Sequence, residues 1–157
     1  MADVAVRSAR IAEADAVLAC YEWPFAPPGS QPASWNPDWA KVALVDAIDS
    51  DAANVFVADE GGRISGFCTA YLDLLSVRYG LRCWVEDLAV DPERRSRGIG
   101  AALLAAAREW AAANGASHLE LDSAAGRVDA HRFYAREGAR NPSYSFGWYG
   151  LGEREEP

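Results

Sequence analysis

The chain alternates between two hydrophobic periods, and the changes of period predict its elements. Val4-Ala-Val-Arg7 alternates as a short first strand. From Ala12 to Tyr21 the apolar positions Ile11, Ala14, Val17, Leu18 and Tyr21 recur at helical spacing. Trp23 to Pro37 breaks both periods with prolines, Gly29, Ser30 and Asn36, so no regular element is expected there. Asp38 is positioned to cap a helix from Trp39 to about Ile48. Asn54 to Glu60 and Ile64 to Leu72 read as paired strands around a Gly61-Gly62 turn. A further strand runs from about Leu81 to Val90, and a regular pleat puts Trp84, Glu86, Leu88 and Val90 on one face.

The second half follows the same logic. A helix from about Ile99 to Ala113 carries Ile99, Leu103, Ala106, Ala107 and Trp110 on one stripe and ends at Asn114-Gly115. His118 to Asp122 reads as a strand, and Val128 to Glu137 as a helix closed by Gly138. Tyr144 to Leu151 reads as a last strand. The predicted order is therefore β–α–α–β–β–β–α–β–α–β. Hairpin neighbours are antiparallel, and the 88–122 unit requires a parallel crossover, which gives a mixed α/β sheet. With no internal repeat, the expectation is one domain over residues 1–152 and a solvated tail over 153–157.

The junction between the third hairpin strand and the long helix holds the candidate chemistry. Arg95-Ser96-Arg97-Gly98-Ile99-Gly100 lies where a strand becomes a helix. Free amides at a helix N-terminus favour an anion, as does the helix dipole. The glycines admit close backbone approach, and Arg95 and Arg97 add positive charge. The spacing matches neither the dinucleotide fingerprint nor the P-loop.

The stretch Arg95-x-x-Gly98-x-Gly100, after Leu88-Ala-Val90 and before an Ala/Leu helix, resembles the acetyl-CoA-binding motif of the GCN5-related N-acetyltransferases, the GNAT superfamily. Ala130, Phe133, Tyr134 and Gly138 are similar to the family's late helix, although Arg127 stands where an Asn is usual and Ala139 where a Phe is usual. The resemblance implies the GNAT fold and acetyl-CoA as co-substrate. It assigns the pyrophosphate to Arg95, Ser96, Arg97, Gly98, Ile99, Gly100 and Ala101, and further cofactor contacts to Leu88, Ala89, Val90 and Phe133. Amides of the Leu88–Val90 strand would polarise the thioester carbonyl, and Tyr134 takes the general-acid position. Trp84-Val-Glu-Asp-Leu88 is similar to the Glu-Asp-Leu/Phe segment of diamine and polyamine acetyltransferases, which makes Glu86 the general base through water. A bulge in this strand would bring Asp87 to the cleft instead.

Acyl transfer to an amine needs these roles. An alkyl amine of pKa near 10.4 is neutral at pH 7 only to about one part in a few thousand. A positioned base is worth about 10²–10⁴-fold, and a phenol of pKa near 10 suits protonation of the departing thiolate. His131, off the Phe133/Tyr134 face, reads as a surface or CoA-edge residue, and His118 as structural. Asp122 and Ser123 end a strand where a cleft would open. Trp23, Phe25 and Trp35, together with Tyr144, Phe146, Trp148 and Tyr149, are candidates for an acceptor pocket or for core cover.

Composition trims the alternatives. Half the residues are hydrophobic and 11% aromatic, which predicts a packed core. The longest small or apolar run, Gly98 to Ala107, falls short of the roughly 18 residues that span a bilayer. No secretory signal opens the chain, so the cytoplasm is the expected compartment. A net charge of −8 argues against nucleic acid and suits a small cationic amine as the partner. Cys20, Cys68 and Cys83 have no paired spacing and suggest neither disulfides nor metal. The expectation is acetyl transfer to a primary amine in a ternary complex. Protein lysines or N-termini, aminoglycosides and a non-catalytic acyl-CoA sensor stand as alternatives, and a homodimer is common for such folds.

Overall fold

The computed structural model describes residues 4–152. The expected 153–157 tail lies outside them. Contacts group the chain into two compact units, the first ending at Leu121 and the second beginning at Asp122.

The first unit is a five-stranded sheet in the order β1-β2-β3-β4-β5. Its strands are β1 (Ala5–Ser8), β2 (Ala53–Glu60), β3 (Arg63–Ser76), β4 (Gly80–Val90) and β5 (His118–Leu121). The first three pairings are antiparallel and β4–β5 is parallel, with α4 (Ile99–Ala113) as the crossover. This is the mixed sheet that the sequence predicts. Gly61 and Gly62 take φ of 66° and 97° in the β2–β3 turn, a conformation that glycine adopts without steric cost.

Two apolar layers sandwich the sheet. On one face α4 places Ile99, Leu103, Ala107 and Ala111 over Phe56, Ala58, Cys68, Ala70, Cys83 and Val85. Helix and sheet approach closely here: a Cβ added at Gly66 would lie 2.9 Å from Leu103 Cδ1 and 3.1 Å from the Ala89 carbonyl oxygen. On the other face α1 (Ala14–Ala19) and α3 (Pro37–Asp49) pack Val17, Leu44 and Ala47 against Val55, Val57 and Phe67.

Several local expectations are corrected. The first predicted helix is a 3₁₀ turn (Ile11–Glu13) followed by α1, and a single helical turn, α2 (Glu22–Phe25), enters the region where no element was expected. The cap of α3 is Asn36, whose Oδ1 accepts from the Asp38 and Trp39 amides at 2.9 and 3.2 Å. Asp38 therefore lies inside the helix, because Pro37 takes the first helical position, where its missing N–H costs nothing.

In the second unit α5 (Val128–Arg136) forms as predicted, and Gly138 follows it at φ 86°. Tyr144 to Leu151 forms no strand, and Tyr144, Phe146, Trp148, Tyr149 and Leu151 are exposed. Their alternation fits a pleat, but a strand also needs a hydrogen-bonded ladder, and none is present there.

Candidate functional site

The site is built around an irregularity in β4. Thr69 pairs with Asp87 and Ala70 with Val85, so Glu86 is an extra residue without a partner across the β3–β4 ladder. The bulge resets the alternation. Cys83 and Val85 face α4 before it, and Leu88 and Val90 face α4 after it. Trp84 and Leu88 are therefore not on one face, which corrects the regular-pleat expectation.

At the bulge two adjacent carboxylates receive different environments. Glu86 is exposed, and its Oε2 accepts from Trp84 Nε1 at 2.5 Å. Asp87 is partly buried. Its Oδ2 accepts from the Tyr21 hydroxyl at 2.7 Å and from the Thr69 hydroxyl at 3.3 Å, and its amide donates to Thr69 Oγ1 at 3.0 Å. Burial pushes the Asp87 carboxyl above the usual carboxylate range and the neighbouring Glu86 charge adds to this, while the two hydroxyls hold it down. Burial raises the Tyr21 phenol too, and Asp87 adds to that shift.

Tyr21 links this pair to an aromatic cluster. Its ring lies 4.8 Å from Phe67, 5.7 Å from Trp35 and 5.9 Å from Phe25, with Phe25 and Trp35 edge to face at 4.7 Å. Tyr21, Thr69 and Tyr71 were missed as site residues. Tyr21 and Asp87 are separated by 66 positions and no local motif joins them.

Beyond the bulge the sheet opens. The β4–β5 ladder ends at Val85–Leu121, so the β5-side edge of Glu86, Asp87, Leu88, Ala89 and Val90 has no ladder partner among the described residues. The chain then enters the loop through Asp91, which is buried. Asp91 accepts from Arg63 Nη2 at 2.5 Å and from the Glu93 amide at 2.9 Å, and its own amide donates to the Ser65 carbonyl.

The loop itself is exposed at Arg95, Ser96, Arg97 and Gly98. Gly98 is the N-cap of α4 at φ 80° and offers no side chain to the first-turn amides. The first bond within the helix runs from the Ala102 amide to the Gly98 carbonyl, which leaves Ile99, Gly100 and Ala101 with amides that no helical carbonyl accepts. Space beside the Gly98 Cα is open. Ser96 takes φ 62°, a left-handed conformation that suits glycine, the residue the family often has there. Uncapped amides, open space and two exposed arginines fit a pyrophosphate. Acetyl-CoA is thus compatible with the residues present.

Phe133 and Tyr134 are adjacent on α5, with ring centroids 5.2 Å apart. They and His131, Asp122, Ser123 and Arg127 belong to the second unit, whereas Glu86, Asp87 and the loop belong to the first.

The mixed sheet parted after Val85 and the exposed loop heading the crossover helix form the frame of a known class of transferase. The chain belongs to the acetyltransferase (GNAT) family, whose pattern it matches over residues 16–139. It is an N-acetyltransferase with acetyl-CoA as co-substrate. It is 34% identical over 104 residues, 66% of this chain and 72% of the relative, to the uncharacterized N-acetyltransferase YhdJ of Bacillus subtilis. Over 62 residues, 40% of each chain, it is 44% identical to the aminoalkylphosphonate N-acetyltransferase of Salmonella typhimurium. Its fold matches AAC(6')-Iy solved with the bisubstrate analogue CoA-S-monomethyl-acetylneamine, at TM-score 0.80 and 16% identity, over 96% of this chain and 99% of that one. Among the described residues no helix is long and apolar enough to cross a membrane.

Proposed function

We propose that the protein acetylates the primary amine of a small cationic molecule, by direct attack in a ternary complex. The observation that carries this reading is the β4 bulge. It leaves an exposed carboxylate, Glu86, on the strand that leads through the Arg95–Gly98 loop into the uncapped start of α4. Acetyl-CoA supplies an acetyl thioester whose C–S bond is exchanged for an amide C–N bond. The residues for its pyrophosphate are Arg95, Ser96 and Arg97 with the amides of Gly98, Ile99, Gly100 and Ala101. The free edge of Leu88, Ala89 and Val90 donates N–H groups toward the thioester oxygen, and Phe133 packs on the cofactor arm. Glu86, through water, takes the proton that the ammonium must lose before its nitrogen attacks. Tyr134 gives a proton to the sulfur as the C–S bond breaks, and the second proton that the attacking nitrogen sheds restores the phenol. This assignment is supported by the position of Tyr134 in the Ala130–Gly138 motif.

Thiol release on a panel of primary amines tests the reading. Glu86→Gln and Tyr134→Phe should each lower kcat/KM by about 100-fold with acetyl-CoA binding retained. Unchanged rates in both variants would remove the mechanism. Acetyl-CoA binding without thiol release on any amine would leave a sensor instead.

A further inference from the structure

The half of the sheet face that α1 and α3 leave uncovered carries a readable balance of charge and apolar surface. Two of its carboxylates are already engaged. The Arg82 guanidinium donates from Nε and Nη2 to Asp73 at 2.9 and 2.7 Å, and from Nη1 to Glu120 at 3.2 Å. It also lies 4.9 Å over the Trp84 ring. A third carboxylate, Asp87, is closed off by Tyr21 and Thr69. Glu86 is the carboxylate at the bulge that no cation engages among the described residues.

Beside these polar groups the face carries aromatic rings. Tyr71 is paired with Trp84 in the β3–β4 register, two strand positions from the Thr69–Asp87 pair. Tyr21, Phe25 and Trp35 form a contiguous, partly exposed set tied to Asp87 through the Tyr21 hydroxyl. A polycation would find one unshared charge here and several rings. An acceptor bearing a phosphonate would meet Arg82, whose donors two carboxylates already hold. A single ammonium on a flat apolar body matches both features, because rings offer apolar area and attract a cation through their faces.

We propose that the acceptor is an arylalkyl monoamine, its ring against Tyr21, Phe25 and Trp35 and its amine at Glu86. The proposal rests on the acetyl-transfer reading above and specifies its substrate class. The test is thiol release by the full chain with acetyl-CoA and five amines: 2-phenylethylamine, n-hexylamine, spermidine, an aminoglycoside and 2-aminoethylphosphonate. The expected result is a kcat/KM for 2-phenylethylamine about tenfold or more above each of the others, the scale of one well-placed aromatic contact. Trp35→Leu should lower the phenylethylamine-to-hexylamine ratio several-fold. Phe25→Leu reads the same ratio should the first variant lose its cooperative melt. A preference for spermidine, the aminoglycoside or the phosphonate overturns the substrate class and leaves acetyl transfer standing. A ratio near one, or a ratio unmoved by both variants, overturns the aromatic contact. Release with none of the amines, while acetyl-CoA still binds, overturns the acetyl-transfer reading itself.

Discussion

The two faces of the sheet are made by the same strands and do opposite work. Under α4 the surface is dry: Cys68, Ala70 and Cys83 are fully buried and Val85 nearly so, with Leu103 closing over them. Even the reactive side chains there are quiet, since burial pushes the Cys83 thiol up to about 11 and Cys68 higher still. On the opposite face the apolar cover from α1 and α3 stops short, and Thr69, Tyr71, Trp84 and Asp87 carry polar atoms beside an aromatic cluster. One inserted residue, Glu86, resets the alternation of β4, so that the strand keeps its apolar side on α4 both before and after it. A closed face buries the apolar side of β4, and the interrupted pleat exposes a carboxylate while the β3–β4 ladder continues on both sides of it.

Substitutions on each side should separate these roles. The largest effect is expected for Leu103→Ala. It opens a cavity beneath α4 and should cost about 3 kcal/mol in urea unfolding, with little change in kcat/KM under conditions where the variant stays folded. Glu86→Gln should do the reverse. Its side chain is exposed, so the melting temperature should hold while kcat/KM falls about 100-fold, equivalent to about 2.7 kcal/mol at the transition state. A Glu86 variant that lost stability and kept its rate would invert the comparison.

How far the sequence foretold this difference depends on the range of the interactions. The α4 stripe, the Gly61-Gly62 turn and the Arg95–Gly100 loop are local patterns, and each was legible because period, turn chemistry and helix entry act within a few residues. The bulge was foreseen only as a contingency, because it is set by how β3 and β4 align, with Thr69 on Asp87 and Ala70 on Val85. Tyr21 read as one more member of a helical stripe, and its bond to Asp87 spans 66 positions. The Tyr144–Leu151 segment shows the converse. Tyr144, Phe146 and Trp148 alternate with Ser145 and Gly147, but alternation does not supply a neighbouring strand.

Two carboxylates, Asp87 on the uncovered half of the face and Glu13 before α1, sharpen the contrast through their opposite response to pH. Asp87 has a folded pKa raised chiefly by burial. Its contribution to stability is therefore fully present below the unfolded value near 3.9 and is lost as pH rises through the folded value. Asp87→Asn removes that dependence, so its stability relative to the parent should improve as pH rises through this window, by less than the Leu103→Ala cost. Glu13 lies in the 3₁₀ turn that leads into α1, beside the first strand. Arg7 donates to it from Nη2 at 2.7 Å and from Nη1 at 2.9 Å, and Arg10 adds a further pair at 2.8 Å.

These partners, Arg7 foremost, hold the Glu13 carboxyl well below the usual range. The stabilisation it provides is present above the unfolded value near 4.3 and is lost as pH falls toward the folded value. Glu13→Gln should thus cost about 1 kcal/mol near neutral pH and progressively less in acid, with kcat/KM unchanged. Urea titrations of both variants between pH 3 and 7 give two slopes of opposite sign if burial governs Asp87 and ion pairing governs Glu13. Two slopes of the same sign would mean that Asp87 behaves as a second structural carboxylate, and the distinction between it and the ion-paired Glu13 would be lost.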